Sequence, residues 1–178
     1  MYEYIPPRQN NKAIVISILL FFIGTAAFVA EAFLPEEPWG FRVLEYVFIA
    51  IWGATWISLS GITSRYLVLK YLYRLRANED HGMELEIFTY RRGNRMQLVY
   101  RARLSAIAAI TPLGKENATP PAGVKRVRFV RDLSPTGAVV LSCEDGDGEI
   151  VLTPDERMLQ LMQEAIRKPD IFDPAQKS

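Results

Sequence analysis

The side chains equipped for catalysis are few and scattered. His81 is the single histidine and Cys143 the single cysteine. A nucleophile needs a base within hydrogen-bond reach, and no spacing pairs His81 with Ser142 or Cys143. Glycine-rich phosphate loops, paired-cysteine motifs and the His-Glu zinc signature do not occur in the chain. The acidic run 144–149 invites comparison with a calcium loop. Counting from Asp145 places Asp145, Asp147, Glu149, Thr153 and Glu156 at ligand positions, but Ile150 stands where the sharp bend needs glycine. An Asp-Gly hairpin turn accounts for the run more simply. The expectation is a non-enzymatic protein without cofactor or metal.

Binding chemistry is better represented. Between Arg91 and Arg131 stand ten bases, Arg91, Arg92, Arg95, Arg101, Arg103, Lys115, Lys125, Arg126, Arg128 and Arg131, against one acid, Glu116. From Asp132 to Asp173 there are ten acids and three bases. Apart from Lys115, the first block is the candidate face for a protein partner or for anionic lipid. Each base near a charged leaflet contributes about 1 kcal/mol. Arginines alternating with apolar residues equally describe strands with one solvated face. Nucleic acid is not expected, because no aromatic-basic recognition motif accompanies the charge.

The elements that must position this face begin with a membrane anchor. Residues 13–34 are uncharged up to Glu31 and, as a helix, reach about 33 Å, enough for a hydrocarbon core of about 30 Å. Residues 46–64 form a second uncharged run containing Trp52 and Trp56. The short PEEPWG link between them, with Pro35, Pro38 and Gly40, makes the two a hairpin. Small residues four apart, Ala26 with Ala30 and Ala50 with Ala54, are the candidate contact between the helices, although alanine is common in any spanning helix. Ala30-Glu31-Ala32 also resembles a signal cleavage site, but the apolar run is longer than such sites carry.

Arg8 and Lys12 precede the first helix. Arg65, Lys70, Arg74 and Arg76, the juxtamembrane bases, follow the second. The link carries Arg42 with Glu36, Glu37 and Glu45. Basic flanks mark the cytoplasmic side, so a two-span cell-membrane protein with both termini inside is expected. A lone cysteine suits a reducing compartment. Residues 65–76, rich in Arg, Lys, Tyr and Leu, should continue the second helix as a stalk at the lipid interface.

The soluble part alternates. Leu85, Ile87 and Thr89 share one strand face and Glu84, Glu86 and Phe88 the other. After the Arg91–Asn94 turn, Met96–Leu104 completes a hairpin. Val124–Arg131, the AVVLS run and Glu149–Leu152 supply further strands. A 3.6-residue period then takes over. Thr153, Pro154 and Glu156 propose a helix start, and Met158, Leu161, Met162, Ala165 and Ile166 form one apolar stripe. About six antiparallel strands closed by one helix are expected. The divisions are a tail 1–12, an anchor and stalk 13–76, a soluble domain 83–168 and a tail 169–178.

LSAIAAI (Leu104–Ile110) and IVLTPDERMLQLMQEAI (Ile150–Ile166) resemble segments of the bacterial pleckstrin-homology-like membrane proteins. The first is similar to an Ile-bearing stretch after the second strand, the second to a final strand running into a helix. The resemblance spans Met83–Lys168 and implies an α+β fold: a transmembrane hairpin, then a PH-like antiparallel barrel or sandwich with a C-terminal capping helix. It implies a binding or scaffolding module at the inner leaflet and names no ligand. The expected partners are the bilayer and a protein. Anionic lipid binding, self-association into a homo-oligomer, and a place as small subunit of a membrane complex are the alternatives.

Overall fold

A computed structural model of the protein describes residues 1–33, 39–78, 82–90, 95–114, 116–144 and 148–167. The Pro35–Pro38 link, His81, Arg91, Arg92, Lys115, Asp145, Asp147 and the tail from Lys168 lie outside them. The chain forms two compact units, residues 10–68 and residues 1–9 joined with 69–178.

The first unit is a pair of helices, α1 (Lys12–Ala32) and α2 (Trp39–Ile62), with a π-helical turn at Thr63–Val68. Both are long and apolar enough to cross a membrane, with mean hydropathies of 2.7 for Lys12–Ala32 and 1.5 for Val43–Val68. Their large side chains, Phe22, Val43 and Ile57 among them, point outward. The buried seam of α1 is small instead: Ala13, Ser17, Gly24 and Ala27. That spacing of four, seven and three is the period of left-handed helix pairs. Gly24 is required there, since a Cβ would stand 2.6 Å from Thr55 Oγ1 of α2. Phe21 meets Trp56 and Phe28 meets Trp52, ring centroids 6.1 Å apart in each pair. The expected alanine contacts are therefore corrected. Ala26, Ala50 and Ala54 are exposed and Ala30 half-buried. Gly24 instead makes room for the Thr55 side chain, and Ala26 lies about 200° around the helix from it.

The second unit holds two four-stranded sheets. β1 (Tyr2–Tyr4), β2 (Lys70–Asn78), β3 (Gly82–Tyr90) and β4 (Met96–Arg103) form an antiparallel sheet in that order. The second contains β5 (Ile107–Pro112), β6 (Arg126–Arg128), β7 (Val139–Cys143) and β8 (Glu149–Leu152), ordered β5-β7-β8-β6. The β6–β8 ladder is parallel, so the expected all-antiparallel arrangement becomes mixed. No closed barrel forms among the described residues, because β4 pairs only with β3 and β6 only with β8.

The helical stalk expected over 65–76 is also corrected: from Lys70 onward the chain is β2, paired along its length with β3. Tyr71, Tyr73 and Leu75 are buried in the core, while Arg74 and Arg76 face the other way. Period two and strand-favouring Tyr outweigh the continuity of the helix. The β-unit thus starts at Leu69, and residues 1–9, expected as a tail, add the strand β1. Gly82 opens β3 at a φ of 73°, a conformation suited to glycine.

Facing side chains of both sheets make one core: Tyr73, Leu75, Leu85 and Ile87 from the first, Ile107, Leu141, Ile150 and Leu152 from the second, joined by Leu104 from the turn between the sheets and Phe129 just after β6. A helix, α3 (Glu156–Arg167), lays Met158, Met162 and Ala165 onto it. Its cap lies two residues beyond the expected one. Asp155 Oδ1 accepts the Met158 N–H at 2.9 Å, whereas Thr153 Oγ1 is 3.5 Å from the buried Tyr73 hydroxyl. Tyr2 of β1 donates to the other Asp155 oxygen, tying the N-terminus to α3.

Candidate functional site

The arginines foreseen as one basic face are divided among different tasks. Across the first sheet, Glu3, Arg74, Glu86 and Arg101 stand in one cross-strand row. Arg74 bonds Glu3 at 2.8 Å and lies 3.8 Å from Glu86. Arg101 bonds Glu86 at 2.6 Å and lies 3.9 Å from Glu84. Arg74 also covers the Phe88 ring at 4.6 Å. Glu84 and Glu86, which the alternation places on the face opposite Leu85 and Ile87, are buried. Each carboxylate finds a guanidinium, so this row spends its positive charge internally.

Arg126 is more deeply committed. Its side chain is 4% exposed and lies 2.5 Å from the Glu149 carboxylate. Nη1 also donates to the carbonyls of Asn117 and Ala118 at 2.6 and 3.0 Å. It fastens β6 to β8 and to the loop before β6. Arg131 donates to the Pro6 carbonyl at 3.3 Å, and Arg128 is also partnered. Of the juxtamembrane set, Arg65 lies over Tyr66 and Lys70 over Tyr90, both at 5.7 Å. Arg76 is exposed on β2. Among the described residues of the candidate face, Arg95, Arg103 and Lys125 are exposed cations with no ion pair.

Arg103 and Lys125 share a place. β4 and β6 are terminal strands of their sheets and leave an open groove of about 360 Å³. Tyr100, Ala102 and Arg103 line one wall, Lys125 and Val127 the other, with Cys143 and Ile150 between. Gly148 lets β8 begin against Lys125, where a Cβ would meet the Lys125 carbonyl at 3.0 Å. The Tyr100 hydroxyl is 3.8 Å from Cys143 Sγ. Burial, reinforced by that contact, pushes the Tyr100 hydroxyl up to about 12, so it stays protonated at neutral pH. Glu149 lines the groove too, but Arg126 already holds its carboxylate. The groove offers apolar surface, strand-edge backbone and two cations. That combination suits recognition.

No protein-family model, curated protein or solved structure matches this chain. The functional reading rests on the geometry. Of the calcium positions only Glu149, Thr153 and Glu156 are among the described residues. Glu149 is paired with Arg126, Thr153 contacts Tyr73, and no group of three His, Cys, Asp or Glu is placed to hold a metal ion there. Sequence reasoning missed the groove because Tyr100, Cys143 and Ile150 come from three strands and Lys125 from the residue before a fourth. It missed the counter-charges because Glu3 and Glu86 lie 71 and 15 residues from the arginines they bind. The one available signal was the run of acids within MELEIFTY, opposite arginines at matching strand parity.

Proposed function

We propose that this protein is a non-enzymatic, membrane-anchored binding module: a helical hairpin holds a PH-like β-domain at the inner leaflet, where it engages a protein partner. The observation that carries this is the open groove lined by the last residues of the edge strand β4, by Lys125 and Val127, and by Cys143 and Ile150. Exposed strand edges are templates for pairing with another chain, and this one is bordered by the free cations Arg103 and Lys125. The two sheets around one core with a capping helix support a PH-like fold. The excess of Lys and Arg on the flanks of α1 and α2 supports a cytoplasmic placement. The β1–β2 pairing adds to this, since it needs the residues before α1 and after α2 on one side of the bilayer. Anchoring raises effective concentration, so a weak contact suffices. The anionic-lipid reading has less support, because Arg74, Arg101 and Arg126 spend their charges within the fold.

Crosslinking in intact cells with the full-length chain, beside a form lacking 69–178, tests the reading. The expected result is a dominant protein partner that disappears with the deletion. Recovery of lipid alone, or of a partner that persists through the deletion, would overturn it.

A further inference from the structure

Resting on the reading of the groove as a partner site, we infer that its occupant is an extended acidic segment of the partner protein, added as a strand along β4. Three features point the same way. Among the described residues the outer edge of β4 has no partner strand, and Tyr100, Ala102 and Arg103 near its end line the groove. An extended chain laid there satisfies those backbone groups, which a compact head group does not. The interior is apolar, with Ala102, Val127 and Ile150 beside Tyr100, and takes every second side chain of a strand. Arg103 on one wall and Lys125 on the other are both unpaired. Among the described residues the carboxylate lining the same space, Glu149, is neutralised by Arg126 at 2.7 Å. A segment alternating apolar residues with Asp or Glu matches spacing and sign. A basic segment meets two like charges, and a proline-broken one cannot pair with the edge.

Cys143 provides the readout, since it lines the groove and is partly accessible. The full-length protein in nanodiscs would be treated with N-ethylmaleimide in the presence of a hexapeptide of alternating Val and Glu. Controls are the Val-Lys peptide, a Val-Glu peptide with central proline, and inositol hexakisphosphate as a compact anion. At about ten times its dissociation constant the Val-Glu peptide should slow alkylation about tenfold, following 1 + [L]/Kd. The proline and lysine peptides should not slow it. R103E together with K125E should remove the protection and transfer it to the Val-Lys peptide. Anisotropy of fluorescein-labelled peptide on the C143S variant repeats the test without the thiol. No protection at about 1 mM Val-Glu peptide overturns the inference. So does equal protection by the proline peptide, or by the compact anion, which marks a phosphate or headgroup site. A partner lost on deletion of 69–178, combined with failure here, leaves the scaffold reading standing and removes only the strand-addition inference.

Discussion

Arg126 decides between two views of the basic residues, because one view makes it a ligand contact and the other a fastener. Its replacement by methionine keeps the apolar stem and deletes the charge. Glu149, 13% exposed, then loses the guanidinium 2.5 Å away. Removing one member of a buried pair costs about 3–5 kcal/mol, mostly because the other charge is stranded. The carbonyls of Asn117 and Ala118 lose a donor as well, but Ala118 is exposed and rehydrates readily. Glu149 also borders an open groove, which places the expected cost near the lower limit, about 3 kcal/mol.

All three tryptophans precede Arg65 in the sequence, so tryptophan fluorescence does not report on the β-unit. Hydrogen exchange on the full-length protein in nanodiscs does. R126M should speed exchange at β6 and β8 about a hundredfold, since each 1.4 kcal/mol is tenfold, while α1 and α2 stay unchanged. Adding E149Q to R126M should restore more than half of the lost protection, because the stranded charge is removed. An R126M effect below about tenfold, with partner or lipid binding lost, would refute the fastener argument. The same reasoning bars Arg126 charge reversal as a test of lipid binding, since a damaged β6–β8 ladder mimics a lost ligand.

The helical unit has an equally specific weak point. G24A pushes a methyl toward Thr55 Oγ1 and should cost about 1–3 kcal/mol in thermal unfolding of the nanodisc-held protein; adding T55A should recover most of it, and no recovery would place the fault elsewhere. Tyr73 sets an alkaline limit. Burial raises its hydroxyl to about 12 against 10.0 in the open chain, so the folded state keeps a proton that the unfolded state loses. That stabilisation, about 2–3 kcal/mol, is full below pH 10 and lost by about pH 12. The melting temperature should fall across that window in the wild type and fall less in Y73F, although Y73F starts lower for want of the bond to the Phe129 carbonyl. Equal slopes in the two would show that Tyr73 does not carry the effect.

Elements governed by local pattern were legible in the sequence. The two apolar helices, the 82–90 and 96–103 strands, β8 and the stripe of α3 all follow from periodicity over their own residues. What depended on distant partners was not. Residues 70–76 read as a helical stalk, and it is pairing with β3 that makes them a strand. On β4, Tyr100 pairs with Ile87 and Leu98 with Phe88, leaving Val99 without a place in the ladder. The strand therefore changes face at a bulge, and the alternation Leu98, Tyr100, Ala102 does not persist. The basic block looked like one surface for the same reason. Arg101 and Arg126 count as free charges in a linear reading, and only the sheet register sets Glu86 and Glu149 against them. Arg103 and Lys125, the two that border the groove, are indistinguishable in sequence from those that do not.

β1 has the least local reason to form, for it is only three residues long. Joining it to β2 closes a loop of about 65 residues, which as flexible chain costs about 4 kcal/mol in the length-dependent term alone. Three residues of edge pairing do not offset that cost. A helical hairpin changes the sum, because α1 packs against the π-helical turn that ends α2, so the intervening chain returns to its start as rigid structure. β1 then pays only for its own ordering, helped by Glu3 on Arg74 and Tyr2 on Asp155. A single crossing would leave β1 and β2 on opposite sides of the bilayer, whereas two crossings leave them together. If α1 and α2 cross a bilayer, strand pairing and the placement of Lys and Arg, which rest on different physics, both put the two ends of the hairpin on the same side.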